Sequence, residues 1–278
     1  MLKDLNNNEP SFDPKKGWNR FLGRIEEEKM RKRKRVGQMM RYAAMFAAPL
    51  LLVGVWYILK NDDHTVSQTC FKTFSTQQGE TKKLKLTDGS TITLNAESEI
   101  NYACSFSGAN ASRKIKLIKG EALFEVAKNK EVPFSVDTKG LVITVHGTVF
   151  NVNAYNKTIK ATLLHGSISA RANGKELYLK PNQDLIYANN EMKLANIEAQ
   201  NSVAWSRGVL WFENAPLREI LACLQRNYQL TYQVDDQYLN KHYTASFKRE
   251  EGVANILKTL SAVSGLSLTI KNQVIVVQ

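Results

Sequence analysis

The spacing of apolar residues changes character three times along the chain. Trp18, Phe21, Leu22 and Ile25 stand at i, i+3, i+4 and i+7, which puts all four on one face of a helix. Asp13-Pro14 precedes them and supplies an N-cap acceptor and a first-turn proline. Residues 43–59 are then apolar throughout, without a charged side chain. From Leu84 the period drops to two, the signature of strands with one buried face. From about Trp205 strand-like and helix-like patterns alternate. The expected fold is mainly β: one transmembrane helix, an all-β domain (sandwich or roll), and a small α+β domain of two βαβ-like repeats. The corresponding segments are a cytoplasmic arm (1–41), a membrane helix (42–60), a linker (61–69), a β domain (70–190) and a C-terminal domain (200–278).

The run at 43–59 is seventeen residues long, about 26 Å as a helix, the short end of what spans a bilayer. Trp56 and Tyr57 sit at its end, where amphipathic rings favour the interface, and Pro49 is tolerated in lipid. Lys29, Arg31, Lys32, Arg33, Lys34, Arg35 and Arg41 precede it, and Asp62 and Asp63 follow. This asymmetry predicts a single span in the cytoplasmic membrane with the N-terminus cytoplasmic and the C-terminal region exported, into the periplasm of a diderm bacterium. No small-x-small cleavage site follows the run, so an uncleaved anchor fits better than a signal peptide. The arm helix has no second element within the arm on which to bury Trp18 and Phe21. It must dock on membrane lipid or on a cytoplasmic partner.

The β region carries a hairpin signal in which parity is informative. A two-residue Asp88-Gly89 loop would put Leu84 and Leu86 on the face opposite Ile92 and Leu94. A three-residue loop, Thr87-Asp88-Gly89, pairs Leu84 with Ile92, places all four on one face, and gives Gly89 the left-handed position. Further short runs at 115–118, 122–126, 142–145, 149–152, 161–164, 168–170, 177–179 and 185–187 are punctuated by turn dipeptides, as in a sandwich, barrel or stacked roll. In the C-terminal region Ile220, Leu221, Leu224 and Leu230 recur thirty-six residues on as Ile256, Leu257, Leu260 and Leu266. Each unit reads as strand, short helix, strand.

Charge and chemistry change this picture little. Of the net +12, residues 1–41 carry six, from twelve Lys and Arg against six Asp and Glu. The basic run beside the apolar segment is a topology signal and an anionic-lipid contact, and no direct nucleic-acid partner is expected. Cys70, Cys104 and Cys223 fit neither a zinc site nor a CxxC motif; Cys70 and Cys104 either pair in an oxidising compartment or sit as small buried hydrophobes. His64, His146, His165 and His242 are isolated. No nucleophile elbow, phosphate loop or dinucleotide fingerprint is present, so neither catalysis nor a cofactor or metal is expected.

The ordered set Leu86-x-Asp88-Gly89-Ser90-x-Ile92-x-Leu94-Asn95-Ala96-x-Ser98, Tyr102, Phe106, Arg113, Gly120-Glu121-Ala122-x-Phe124-x-Val126, Pro133-Phe134-x-Val136, Gly147-Thr148-x-Phe150-Asn151-Val152 and Leu164-x-Gly166-x-Ile168 resembles the FecR family of transmembrane regulators. Trp205, Gly208-x-Leu210-x-Phe212-x-Asn214-x-Pro216-Leu217 and Leu224-x-Arg226-x-Tyr228 resemble the C-terminal domain that often follows, which is similar to the STN signalling domain of secretins and TonB-dependent receptors. The resemblance implies a membrane-anchored anti-sigma factor. Its exported region would meet the signalling domain of a TonB-dependent outer-membrane transporter, with Trp205, Phe212, Arg226 and Tyr228 at the contact. Its arm would hold an extracytoplasmic-function sigma factor through Trp18, Phe21, Leu22 and Ile25, and a regulatory protease would release it. The arm is shorter than is usual in that family. Two other readings stay open at this point: a periplasmic scaffold that docks on a transport or secretion assembly, and an enzyme on envelope glycan, which would need two close carboxylates in a pocket of the β domain.

Overall fold

The structure is a computed structural model that describes residues 70–106 and 111–277, with isolated positions before them. The expected arm helix, the apolar run 43–59 and the linker lie outside the described residues. Among the described residues no helix is long and apolar enough to cross a membrane. Residues Gln68–Gln278 form one compact unit built from a β module and an α+β module.

The β module has two sheets of seven strands around one core. The first sheet runs, in spatial order, β1 (Phe71–Ser75), β4 (Glu99–Ala103), β5 (Lys114–Lys119), β7 (Phe134–Thr138), β8 (Leu141–Val145), β11 (Ile168–Ala172), β12 (Lys175–Leu179). The second runs β14 (Glu191–Asn196), β13 (Gln183–Ala188), β10 (Ile159–His165), β9 (Val149–Asn153), β6 (Glu121–Glu125), β3 (Thr91–Leu94), β2 (Lys82–Lys85). Alternation supplies the core from both sides: Ile92, Leu94, Phe124, Phe150 and Leu163 from the second sheet, Ile100, Leu117, Phe134 and Ile143 from the first. Phe124 stacks on Phe150 with ring centroids 4.9 Å apart and meets Phe134 edge-on at 6.2 Å.

The parity of the first hairpin has a physical payoff. Leu84 pairs with Ile92, and the Leu86 amide donates to the Ser90 carbonyl at 2.8 Å across a three-residue loop. Gly89 takes φ +87°, in the left-handed region where a side chain would be strained. Asp88 accepts from the Ser90 amide and hydroxyl, each at 2.8 Å, and from Arg113 Nε at 2.7 Å. Arg113 is 1% exposed. Its Nη1 donates to the Val132 carbonyl at 2.9 Å and its Nη2 to the Ala127 carbonyl at 2.7 Å, so one guanidinium ties the β2–β3 loop to the β6–β7 loop.

Four strands lie outside the expected runs: β1, β4, β7 and β14. Because β14 pairs along the whole of β13, the β module reaches past the expected boundary at 190. The edge strand β1 is fixed to β4 by pairing and by a Cys70–Cys104 disulfide; of the two readings of these cysteines, the structure has the bonded one. The bridge closes a loop of 34 residues, which by loop entropy stabilises by about 4 kcal/mol. Reduction should therefore lower the unfolding midpoint and free β1 first. Hydrogen exchange with and without reductant would read this as lost protection confined to residues 71–75 before any global change.

The α+β module begins after a short helix α1 (Ala199–Ser202) and a 3-10 turn at Ala204–Arg207. It comprises β15 (Val209–Pro216), α2 (Leu217–Tyr228), β16 (Thr231–Gln233), α3 (Asp236–Leu239), β17 (His242–Lys248), α4 (Val253–Ser264), β18 (Leu268–Lys271) and β19 (Val274–Val277). The thirty-six-residue repeat is present as β15-α2-β16 and β17-α4-β18. Ile220, Leu221 and Leu224 match Ile256, Leu257 and Leu260, all buried in one core. The units are not βαβ crossovers within one sheet, however. Their first strands pair antiparallel as a ribbon, whereas β16 and β18 flank β19 in a second sheet. Neither thin sheet could bury its apolar face alone; α2 and α4 each pack against strands of both and supply the missing cover.

Candidate functional site: a polar cleft between the modules

Strand alternation makes one face of the second sheet polar. Glu121 on β6, Asn151 and Asn153 on β9, Lys160 and Thr162 on β10 and Asp184 on β13 all point away from the core. Register confirms their shared face, with Glu121 opposite Asn153, Asn151 opposite Thr162, and Thr162 opposite Asp184. Such a face is normally wet. Here the α+β module covers it, and the two enclose a cleft of about 600 Å³. Trp205, Trp211, Phe212, Glu219, Cys223 and Arg226 face it from the other side.

The inner end of the cleft is a hydrogen-bonded cluster made of the motif residues. Glu121 accepts from Asn95 Nδ2 at 2.8 Å on one oxygen and from Asn151 Nδ2 at 2.9 Å on the other. Its backbone amide donates to Ser98 Oγ at 2.9 Å. Burial raises the Glu121 pKa, and the donors from Asn151, Asn95 and Asn153 and the positive charge of Arg226 oppose that rise only in part. Gly120 beside it takes φ +100°, and a Cβ there would stand 2.4 Å from Ser98 Cα, so no side chain fits. The Tyr155 hydroxyl donates to the Ala96 carbonyl. Burial, and then the nearby Glu121 charge, raise its pKa. The Arg226 guanidinium lies 3.9 Å above the Tyr155 ring, a cation–π contact between the modules.

The C-terminal end of α2 completes the junction. The last carbonyls of a helix lack partners within it. Here the Gln225 carbonyl accepts from Gln78 Nε2 at 2.6 Å and the Arg226 carbonyl from the Gly79 amide at 2.8 Å, both donors lying in the loop between β1 and β2. Arg249 Nη1 reaches Thr81 Oγ1 at 3.2 Å, and Asn151 Nδ2 reaches the Ser202 carbonyl at 3.3 Å. Burial pushes the Cys223 thiol beneath this junction up to about 11, so it stays protonated and unreactive at neutral pH.

Of the residues assigned by resemblance to a transporter contact, Trp205, Phe212 and Arg226 all line the cleft. Trp205 and Phe212 are 7% and 8% exposed, so in this arrangement the chain itself covers them. Tyr228 lies elsewhere, donating to the Arg249 carbonyl at 2.8 Å. Trp18, Phe21, Leu22 and Ile25 fall outside the described residues. Sequence reasoning did not single out Glu121, Asn151 and Tyr155 as one cluster. The available signal was a Glu and an Asn on the outward face of strands flanked by Ala122, Phe124, Phe150 and Val152.

The two carboxylates of the sheet face, Glu121 and Asp184, are not a close pair of the kind glycoside hydrolases use. Glu121 and Asp184 are three strands apart, roughly 14 Å at the usual strand spacing. That exceeds the roughly 5–9.5 Å of retaining and inverting enzymes. Among the described residues no three His, Cys, Asp or Glu side chains converge on a possible metal site.

Residues 72–169 match the family model described as FecR protein, and residues 209–277 match the one described as FecR, C-terminal. Two crystal structures of a candidate anti-sigma factor from Parabacteroides distasonis superpose with a TM-score of 0.68 each, at 24% and 25% identity; the matches cover 75% and 74% of this chain and 98% of each of the others. No curated protein sequence matches. The two family models fall one on each module, and the motif residues Asp88, Asn95, Arg113, Gly120, Glu121 and Asn151 make the contacts that fix the hairpin and the cluster: the chain belongs to the FecR family.

Proposed function

We propose that the protein is a membrane-anchored anti-sigma factor that carries a signal from the cell envelope to transcription. The observation that carries this reading is the joint match of both FecR modules to one compact unit, preceded in the sequence by a basic-flanked apolar run and a short arm. The likeness to a candidate anti-sigma factor supports the same role. In the full scheme the exported unit receives the signalling domain of a TonB-dependent outer-membrane transporter. The helix bearing Trp18, Phe21, Leu22 and Ile25 holds an extracytoplasmic-function sigma factor, and residues 43–59 join the two sides as a single span with the N-terminus inside. A lone span transmits poorly as a lever because it tilts at little cost. Release therefore proceeds by a protease that cuts at or near the span.

The arm is the test. Trp18→Ala together with Phe21→Ala should abolish co-purification of the sigma factor from membranes, since it removes two of the four side chains on that face. Unchanged capture would sink the anti-sigma reading and leave the exported unit as a docking scaffold. A full-length, uncut chain throughout induced signalling would instead remove the protease step alone.

A further inference from the structure

The cleft between the modules has the size and chemistry of a ligand site, and nothing in an anti-sigma role requires one. At about 600 Å³ it lies within the ordinary range for small-molecule pockets. Two residues of its walls hold a polar atom that lacks a partner among the described residues and is itself sealed just beneath the surface: the Trp205 indole N–H and the Asn151 side-chain oxygen. Both residues are more than nine-tenths buried. A buried polar group without a partner costs about 1–3 kcal/mol, so a guest that meets either atom on a small shift of the wall recovers that cost. The two are complementary in kind, since the indole only donates and the amide oxygen only accepts. A hydroxyl group satisfies both kinds, because it accepts and donates through one atom.

The rest of the lining agrees with a polyhydroxylated guest. Asn153, Asn156, Asn196 and Asn201 add amides to the lining; Asn153, Asn196 and Asn201 already hold bonds within the chain and keep further donor or acceptor capacity. Trp211 is 42% exposed at the same wall, an aromatic plane open to one face of a ring. Five carboxylates line the cleft (Glu121, Asp184, Glu198, Glu213, Glu219) against Lys160 and Arg226. Burial raises the pKa of Glu121 and Asp184, so the excess of negative charge rests on Glu198, Glu213 and Glu219, and it disfavours phosphorylated or uronic ligands relative to uncharged or amine-bearing ones.

We propose that the cleft binds a saccharide, neutral or amine-bearing, with its hydroxyls on Trp205 Nε1 and Asn151 Oδ1 and one ring face on Trp211. Because Trp205 and Trp211 belong to the α+β side of the cleft and Asn151 to the β module, such a ligand bridges the two. Occupancy then favours the closed arrangement of the exported unit in proportion to its differential affinity.

The test uses the full-length chain in a detergent without a sugar headgroup. A glycan array carrying neutral, amino and acidic sugars is followed by calorimetric titration of the positive classes. A neutral or amine-bearing glycan should bind, and its acidic counterpart should bind at least about tenfold more weakly. Trp211→Ala, at an exposed position, should weaken binding about tenfold. Trp205→Phe keeps a ring but removes the donor; it should weaken binding similarly, and any fall in the thermal midpoint of the free protein reports the smaller buried ring and not the N–H, which has no partner there. Absence of signal across the array, a preference for acidic glycans, or affinity unchanged by Trp211→Ala would each overturn the proposal. If only Trp205→Phe fails to fold, the Trp211 result decides.

Discussion

Arg113→Met should destabilise the compact two-module unit by about 3–5 kcal/mol, because removing one partner of a buried ion pair leaves the other charge unpaired in the interior. For a unit of this size the midpoint should fall by on the order of 10 °C. Methionine replaces most of the volume, so the loss does not come from a cavity. It comes from the Asp88 carboxylate, left with only the Ser90 donors, and from the Val132 and Ala127 carbonyls, each of which loses a bond shorter than 3 Å. A second substitution separates charge from geometry. Asp88→Asn keeps an acceptor for the Ser90 amide while removing the stranded charge, so the double variant should recover part of the loss, a coupling measurable by a double-mutant cycle. A loss below about 1 kcal/mol for the single variant, the scale of an exposed ion pair, would show that the guanidinium does not hold these loops.

The same residues mark what a sequence can reveal and where it stops. The hairpin loop was legible because parity leaves only one solution: if Leu84, Leu86, Ile92 and Leu94 must share a face, the loop has three residues. The ILxxL helices were legible because three or four apolar positions at helical spacing, repeated thirty-six residues apart, suit a buried helix face and little else. The βαβ reading of those repeats failed because local pattern gives elements but not partners. Nothing in residues 209–216 says that β15 will pair with β17 rather than with β16. The cleft was illegible for a related reason. Glu121, Asn151, Thr162 and Asp184 sit where strand alternation places solvent-facing side chains, and their pattern is that of an ordinary wet sheet face. Only the docking of α2, through the Gln225 and Arg226 carbonyls, turns that surface into an interior. Burial imposed from another module leaves no periodic trace in the strands it covers.

That imposed burial makes Glu121 the residue whose chemistry depends most on the junction. Glu121→Ala should cost about 2–5 kcal/mol near pH 4, since it strands the Asn95 and Asn151 amides at about 1–3 kcal/mol each, with partial relaxation, and the cost should shrink as pH rises, because the variant has lost the titrating carboxyl. Glu121→Gln loses less, and its pH dependence isolates the carboxyl's part. Its side chain faces two amide donors with only one acceptor oxygen, a pH-independent loss of one hydrogen bond. Against this stands the carboxyl's raised pKa, caused first by burial. An acid with a folded pKa above its unfolded value binds its proton more tightly in the native state. Native stability is therefore highest below the unfolded value near 4.5 and declines as pH climbs from there through the folded pKa. Glutamine carries no such decline. The variant should be the less stable protein at pH 4, and the gap should narrow or reverse toward neutral pH, then stay constant. Thermal or urea midpoints for the two proteins across pH 4 to 8, on the order of one reading per half unit, would resolve the crossing. A difference independent of pH would mean that Glu121 titrates alike in both states. Widening toward neutral pH would mean that the Asn95 and Asn151 donors and Arg226 outweigh burial, so that the ionised carboxylate is what joins the modules.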